Sequence, residues 1–199
     1  MTESGIIIQM NAIAVNRVYQ TEINDRWASK LCMWLCEMWM AWSLLKRKNP
    51  DLKPFTKADL DHLNNECIAK GGLKKLTAED SDNGFVANHE INAECVGLKG
   101  FKKIYEPIDA AKCVNLIQWG AIIELRDDGR HSMLAIGWYV ENGKTYLNMF
   151  DPWKQTNDGR FDCARNMTQR FVNGAWADSR SVESFAWYYK VGTSPKWIE

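Results

Sequence analysis

The chain reads as one α+β domain over residues 1–199, helices leading and antiparallel strands following. Three observations predict this. Between Trp27 and Lys48, Leu31, Trp34, Leu35, Met38, Trp39, Trp42 and Leu45 recur at three and four, marking a helix apolar over much of its girth and therefore central. Two apolar runs, His131–Val140 and Thr145–Phe150, flank Asn142-Gly143, the strongest short hairpin signal because both turn residues need positive φ. Nothing in the chain reads as a linker, a repeat or a low-complexity segment. The expected architecture is an N-terminal helical layer packed on a C-terminal twisted antiparallel sheet.

The elements follow in order. A first strand covers Gly5–Met10. Asp25 is a candidate N-cap for the long helix, which Asn49-Pro50 ends. Thr56, followed by Asp59, caps a second helix that runs to about Lys70 and stops at Gly71-Gly72. Residues 77–100 are mixed, with turn signals at Asp82-Asn83-Gly84 and Gly97. A short strand, Phe101–Tyr105, precedes Pro107, which opens a helix to Asn115 or Leu116. A strand over Ala121–Arg126 closes at Asp127-Asp128-Gly129, and the hairpin follows. After a polar loop, Gln155–Arg160, residues 161–171 read as weakly helical and Ser184–Val191 as a last strand.

Composition narrows the function. The charges balance, 25 basic against 25 acidic residues, so bulk electrostatics recruit neither nucleic acid nor an anionic membrane. Lys46-Arg47-Lys48 reads as a solvated helix end and Lys102-Lys103 as a solvated loop. Gly5-Ile6-Ile7-Ile8 is too short for a signal peptide, and no apolar run can span a bilayer. The expectation is a cytoplasmic product, exported only by a holin or a secretion system. Six scattered cysteines then read as reduced thiols. His62 and Cys67 do not share a helix face and no Cys-x-x-Cys occurs, so no metal site is expected. No nucleotide-binding glycine motif occurs, and no cofactor is implied.

The hairpin folds His131 beside Asp151, and an imidazole oriented by a carboxylate is two-thirds of a nucleophilic triad. Cys32, early in the central helix, is the candidate third member. Helix-start N–H groups, the helix dipole and a neighbouring histidine all favour a thiolate. Cys36, one turn on, replaces Cys32 if the helix starts later. The Cys32 N–H is one oxyanion donor, and Gln20 or Asn24 the side-chain candidate for a second. Trp34 and Trp153 are candidate walls of a substrate cleft.

Leu31-Cys32-Met33-Trp34-Leu35-Cys36-Glu37-Met38 resembles the nucleophile helix of papain-like cysteine peptidases. His131-Ser132-Met133-Leu134-Ala135-Ile136-Gly137-Trp138 resembles their histidine strand, and Phe150-Asp151-Pro152-Trp153 the closing segment of the bacterial C39-like group. The resemblance covers about residues 15–155, with Met33 after the cysteine and Arg26 where the family glutamine is usual. It implies a papain-like fold and a Cys32–His131–Asp151 triad. The implied activity is that of a peptidase or amidase working through a thioester on a peptide or isopeptide bond. A phage or bacterial effector or cell-wall enzyme acting on a peptide or protein fits that implication. The competing expectation is an inactive peptidase fold that binds a peptide or protein, and a third is acyl transfer by the same triad.

Overall fold

The computed structural model describes residues 7–25, 27–75, 85–127, 131–153, 158–172 and 175–192. The turn signals at Asp82-Asn83-Gly84 and Asp128-Gly129, the start of the first strand at Gly5-Ile6, Arg26 and part of the Gln155–Arg160 loop lie outside these residues. Strand β1 is Ile7–Ala12. Helix α1, Cys32–Lys48, is followed by α2, Lys57–Lys70, whose capping box is reciprocal: the Thr56 hydroxyl accepts the Asp59 N–H, and the Asp59 carboxylate accepts the Thr56 N–H at 2.8 Å. Gly71, at φ 80°, provides the left-handed cap that stops α2.

β2 (Leu73–Lys75) pairs antiparallel with β3 (Phe85–Ala87) as a small sheet of its own, and a short helix α3, His89–Cys95, capped by Asn88, follows. Strand β4 is Phe101–Pro107, so Pro107 ends a strand, and Asp109 caps α4, Ala110–Gln118. The rest is strand: β5 Ile123–Asp127, β6 His131–Glu141, β7 Lys144–Phe150, β8 Asp158–Asp162, β9 Met167–Val172 and β10 Ala175–Lys190.

The papain-like arrangement expected above, a helical layer on an open twisted sheet, is not what the chain forms. β6 pairs with both β5 and β7, the meander runs on through β8 and β9 to β10, and β10 returns to β5. Six antiparallel strands therefore close into a barrel. β1 lies outside the ring on β6, and β4 adds to β10. Closure depends on the segment expected to be weakly helical. Asp162 Oδ1 accepts the Ala164 N–H at 3.1 Å and Asn166 adopts φ 53°, which turns β8 into β9. It also depends on the length of β10, whose first half pairs with β9 and whose second half pairs with β4 and β5.

α1 lies across β5 and β6, its Trp34, Leu35, Met38, Trp39 and Trp42 all buried. Trp39 meets Trp42 edge-on at 5.5 Å between centroids, and the Trp42 indole donates to the Lys53 carbonyl at 2.9 Å. Among the described residues no helix is long and apolar enough to cross a membrane.

Candidate active site

The long periodic segment starts its α-helix later than its pattern suggests. Asp25 Oδ1 accepts the Trp27 N–H at 2.8 Å, and Ala28–Lys30 form a 3-10 turn, so the α-helix begins at Cys32. Leu31 stands at the N-cap and no side chain caps the helix. The first N–H groups of α1, that of Cys32 among them, have no partner within the helix, and the dipole of seventeen residues points its positive end at the thiol. Cys32 is partly exposed.

His131 is the first residue of β6, and Asp151 follows the last residue of β7. Leu134 opposes Phe150, and the hairpin turn is the expected one, Asn142 at φ 51° and Gly143 at φ 73°. That register brings His131 Nε2 to 2.8 Å from Asp151 Oδ1. The same oxygen accepts the Trp153 N–H at 2.8 Å; Pro152 between them has no N–H to offer. Asp151 is buried and so fixed from both sides. Cys32 is the other group that bears on this ring, acting with Asp151 to raise the imidazole. Since Nε2 is committed to Asp151, Nδ1 is the nitrogen open to a second partner. Burial works against a charge on this ring, but Asp151 and Cys32 outweigh it and push its pKa up to about 9.

The other candidates separate. Gln20 is buried; its backbone N–H donates to the Pro152 carbonyl at 2.8 Å, and its Nε2 to the Ser29 carbonyl, three residues before Cys32, at 2.7 Å. A carbonyl only accepts, so the amide nitrogen must face Ser29, and its second N–H is the donor an oxyanion could use. Gln20 is thereby tied to both the Asp151 segment and the approach to Cys32. Asn24 is exposed, and its backbone N–H goes to Asp61 of α2 at 2.7 Å, which leaves it on the α2 side and outside this constellation. Trp34 is not a cleft wall: it is 1% exposed and packed in the core. Trp153 is 41% exposed next to Asp151 and can line a cleft. Cys36 lies one turn below Cys32 in the core, where burial and the Glu124 carboxylate push its thiol well up. Burial raises Cys67, Cys95, Cys113 and Cys163 as well.

A buried ionic cluster beside this site escaped the sequence reading. Lys103, expected in a solvated loop, has a fully buried side chain. Its ammonium lies 2.9 Å from Glu37 of α1 and 2.5 Å from Glu124 of β5. Glu37 also takes His89 at 2.6 Å and Asn92 at 2.7 Å from α3, and Glu124 takes the hydroxyl of Ser132, the residue after His131, at 2.6 Å. Burial raises Glu37, yet Lys103 and His89 hold its carboxyl down at about 2. A glutamate inside the apolar run Leu35–Trp39 was the available signal, since a charge there must find a partner.

No family model, curated protein or solved structure matches the chain.

Proposed function

We propose that the protein is a cysteine hydrolase that cleaves an amide bond, peptide or isopeptide, with Cys32 as nucleophile, His131 as acid and base, and Asp151 as the group that orients the imidazole. The observation that carries the reading is the mostly buried His131 imidazole held at 2.8 Å by Asp151, with Cys32 near enough at the start of α1 to raise it further. With a pKa of about 9 the imidazole is a cation at neutral pH, and a cation against a sulfur favours the thiolate.

The sulfur attacks the carbonyl carbon and the C=O electrons move to oxygen. That oxygen takes up hydrogen bonds from the Cys32 N–H at the helix start and the second Nε2 proton of Gln20. Collapse expels the amine, which takes its proton from His131 Nδ1, and a thioester remains. Water then attacks the thioester while His131 accepts its proton, and the acid leaves as Cys32 departs as thiolate. Asp151 keeps the ring's orientation throughout and compensates its charge.

The test is alkylation of the native protein by iodoacetamide at pH 6, mapped by mass spectrometry, in wild type and His131→Ala. Selective labelling of Cys32 that the variant loses is the expected result, followed by cleavage of a peptide library. Labelling spread evenly over several cysteines, or unchanged in His131→Ala, overturns the reading.

A further inference from the structure

His131 is held at its backbone as well as at its ring. Its N–H donates to Asp127 Oδ1 at 2.9 Å. Asp127, 5% exposed, ends β5 directly opposite His131 in the ladder, so the first N–H of β6 ends on a carboxylate. The other carboxylate oxygen, Oδ2, receives Arg180 Nη1 at 2.9 Å. Arg180 stands on β10 two residues before Val182, which is Asp127's own cross-strand neighbour. Three adjacent strands of the barrel thus converge on one peptide group: β10 holds Asp127, and Asp127 holds the start of β6.

His131 is the first residue of β6, so this end of the strand sets where its side chain starts. The Asp151 bond fixes the imidazole at Nε2, and the backbone fixes the other end of the side chain. Rotation about the His131 backbone swings the whole ring, and a displacement of about 1 Å at a reacting group can cost about a hundredfold in rate. Hydrogen bonds to an ionised acceptor are shorter and stronger than neutral ones, which suits Asp127 to suppress that rotation.

We infer that Asp127, anchored by Arg180, is a positioning residue that sets the reach of the His131 imidazole to the Cys32 sulfur. The inference rests on the Cys32–His131 pair proposed above. It concerns a residue that touches neither the sulfur nor the ring.

The experiment is the pH dependence of Cys32 alkylation by iodoacetamide in wild type, Asp127→Asn, Asp127→Ala, Arg180→Met and His131→Ala, with the melting temperature of each. Asp127→Asn keeps an acceptor for the His131 N–H, and its profile stays close to wild type. Asp127→Ala removes it: the acidic limb moves up by about one pH unit, which lowers labelling at pH 6 about tenfold. Arg180→Met moves the limb the same way by less. A purely structural role lowers melting temperature and leaves the limb in place, and that result for Asp127→Ala overturns the inference. If Asp127→Ala does not fold, Arg180→Met decides, and a wild-type profile there overturns it equally. The two failures are distinguishable: His131→Ala with a wild-type profile removes the underlying pair, whereas a lost profile in His131→Ala with an intact one in Asp127→Ala removes only the positioning role.

Discussion

At the scale of single residues, the raised pKa of His131 ties stability to pH with a definite sign. The folded value of about 9 lies above the ordinary histidine value, so the stabilisation is complete below about pH 6.5, declines as pH rises, and is gone above about 9. At about 1.4 kcal/mol per unit, that gap corresponds to about 3 kcal/mol. Urea unfolding at pH 6 and pH 9.5 should show wild type losing about that much more than His131→Gln; equal losses would remove the ion pair as the cause. Gln20 makes a separate prediction. Alkylation forms no oxyanion, whereas amide cleavage does, so Gln20→Ala should keep Cys32 labelling and lower kcat by about a hundredfold. A parallel loss of labelling would make Gln20 a packing residue. These positions were legible to unequal degrees. His131 and Asp151 were readable as neighbours because a hairpin with a known turn places them, whereas Cys32 was read into the first turn of a helix expected to start earlier than it does. Gln20 and Asn24 could not be told apart, because the choice depends on Ser29 and Pro152 carbonyls that only the folded loop presents. Asp127 with Arg180 was invisible, the two being 53 residues apart.

At the scale of elements, α1 is bound to the barrel through a charge as well as through its tryptophans. Lys103 of β4 pairs with both Glu37 on α1 and Glu124 on β5, so the helix that carries Cys32 and the strand beside His131 share one ammonium. Lys103→Met leaves two buried carboxylates facing a methyl group. Breaking such a pair costs about 3–5 kcal/mol, and denaturant titration should find that loss, with Lys103→Met/Glu124→Gln recovering part of it. Glu37 gives the acid side of the pH dependence. Its folded pKa of about 2 lies below the unfolded value, so its contribution is complete above about pH 4.5 and is lost as pH falls through about 2. The elements themselves show what local pattern can carry. The Thr56 cap and the Asn142-Gly143 turn are local chemistry, and both appear as expected. The start of α1 did not, because Asp25 spends its carboxylate on a 3-10 turn and leaves the helix to begin seven residues later. The β8–β9 hairpin was missed because its turn carries only one left-handed residue, Asn166, and no glycine. The first half of β10 was missed because Asp178-Ser179-Arg180-Ser181 offers no apolar alternation.

At the scale of the molecule, closure is what the sequence could not reveal, since it is a property of which edges meet. Ring strands have both edges paired, while the β2–β3 hairpin stands apart as a two-stranded sheet. Hydrogen exchange should therefore divide the chain: amides of β5, β6 and the second half of β10 exchange only through global unfolding, and those of β2 and β3 through local opening. Uniform protection across both would contradict the barrel as the cooperative unit. The return of β10 to β5 has a further consequence, in time. During synthesis the thiol of Cys32 and the imidazole of His131 leave the ribosome long before Arg180 does, and until β10 arrives β5 has a bare edge and Asp127 has no cation. The nascent chain thus exposes Cys32 and His131 before the Asp127–Arg180 bond behind the start of β6 can form, since β10 is the strand translated last among those described.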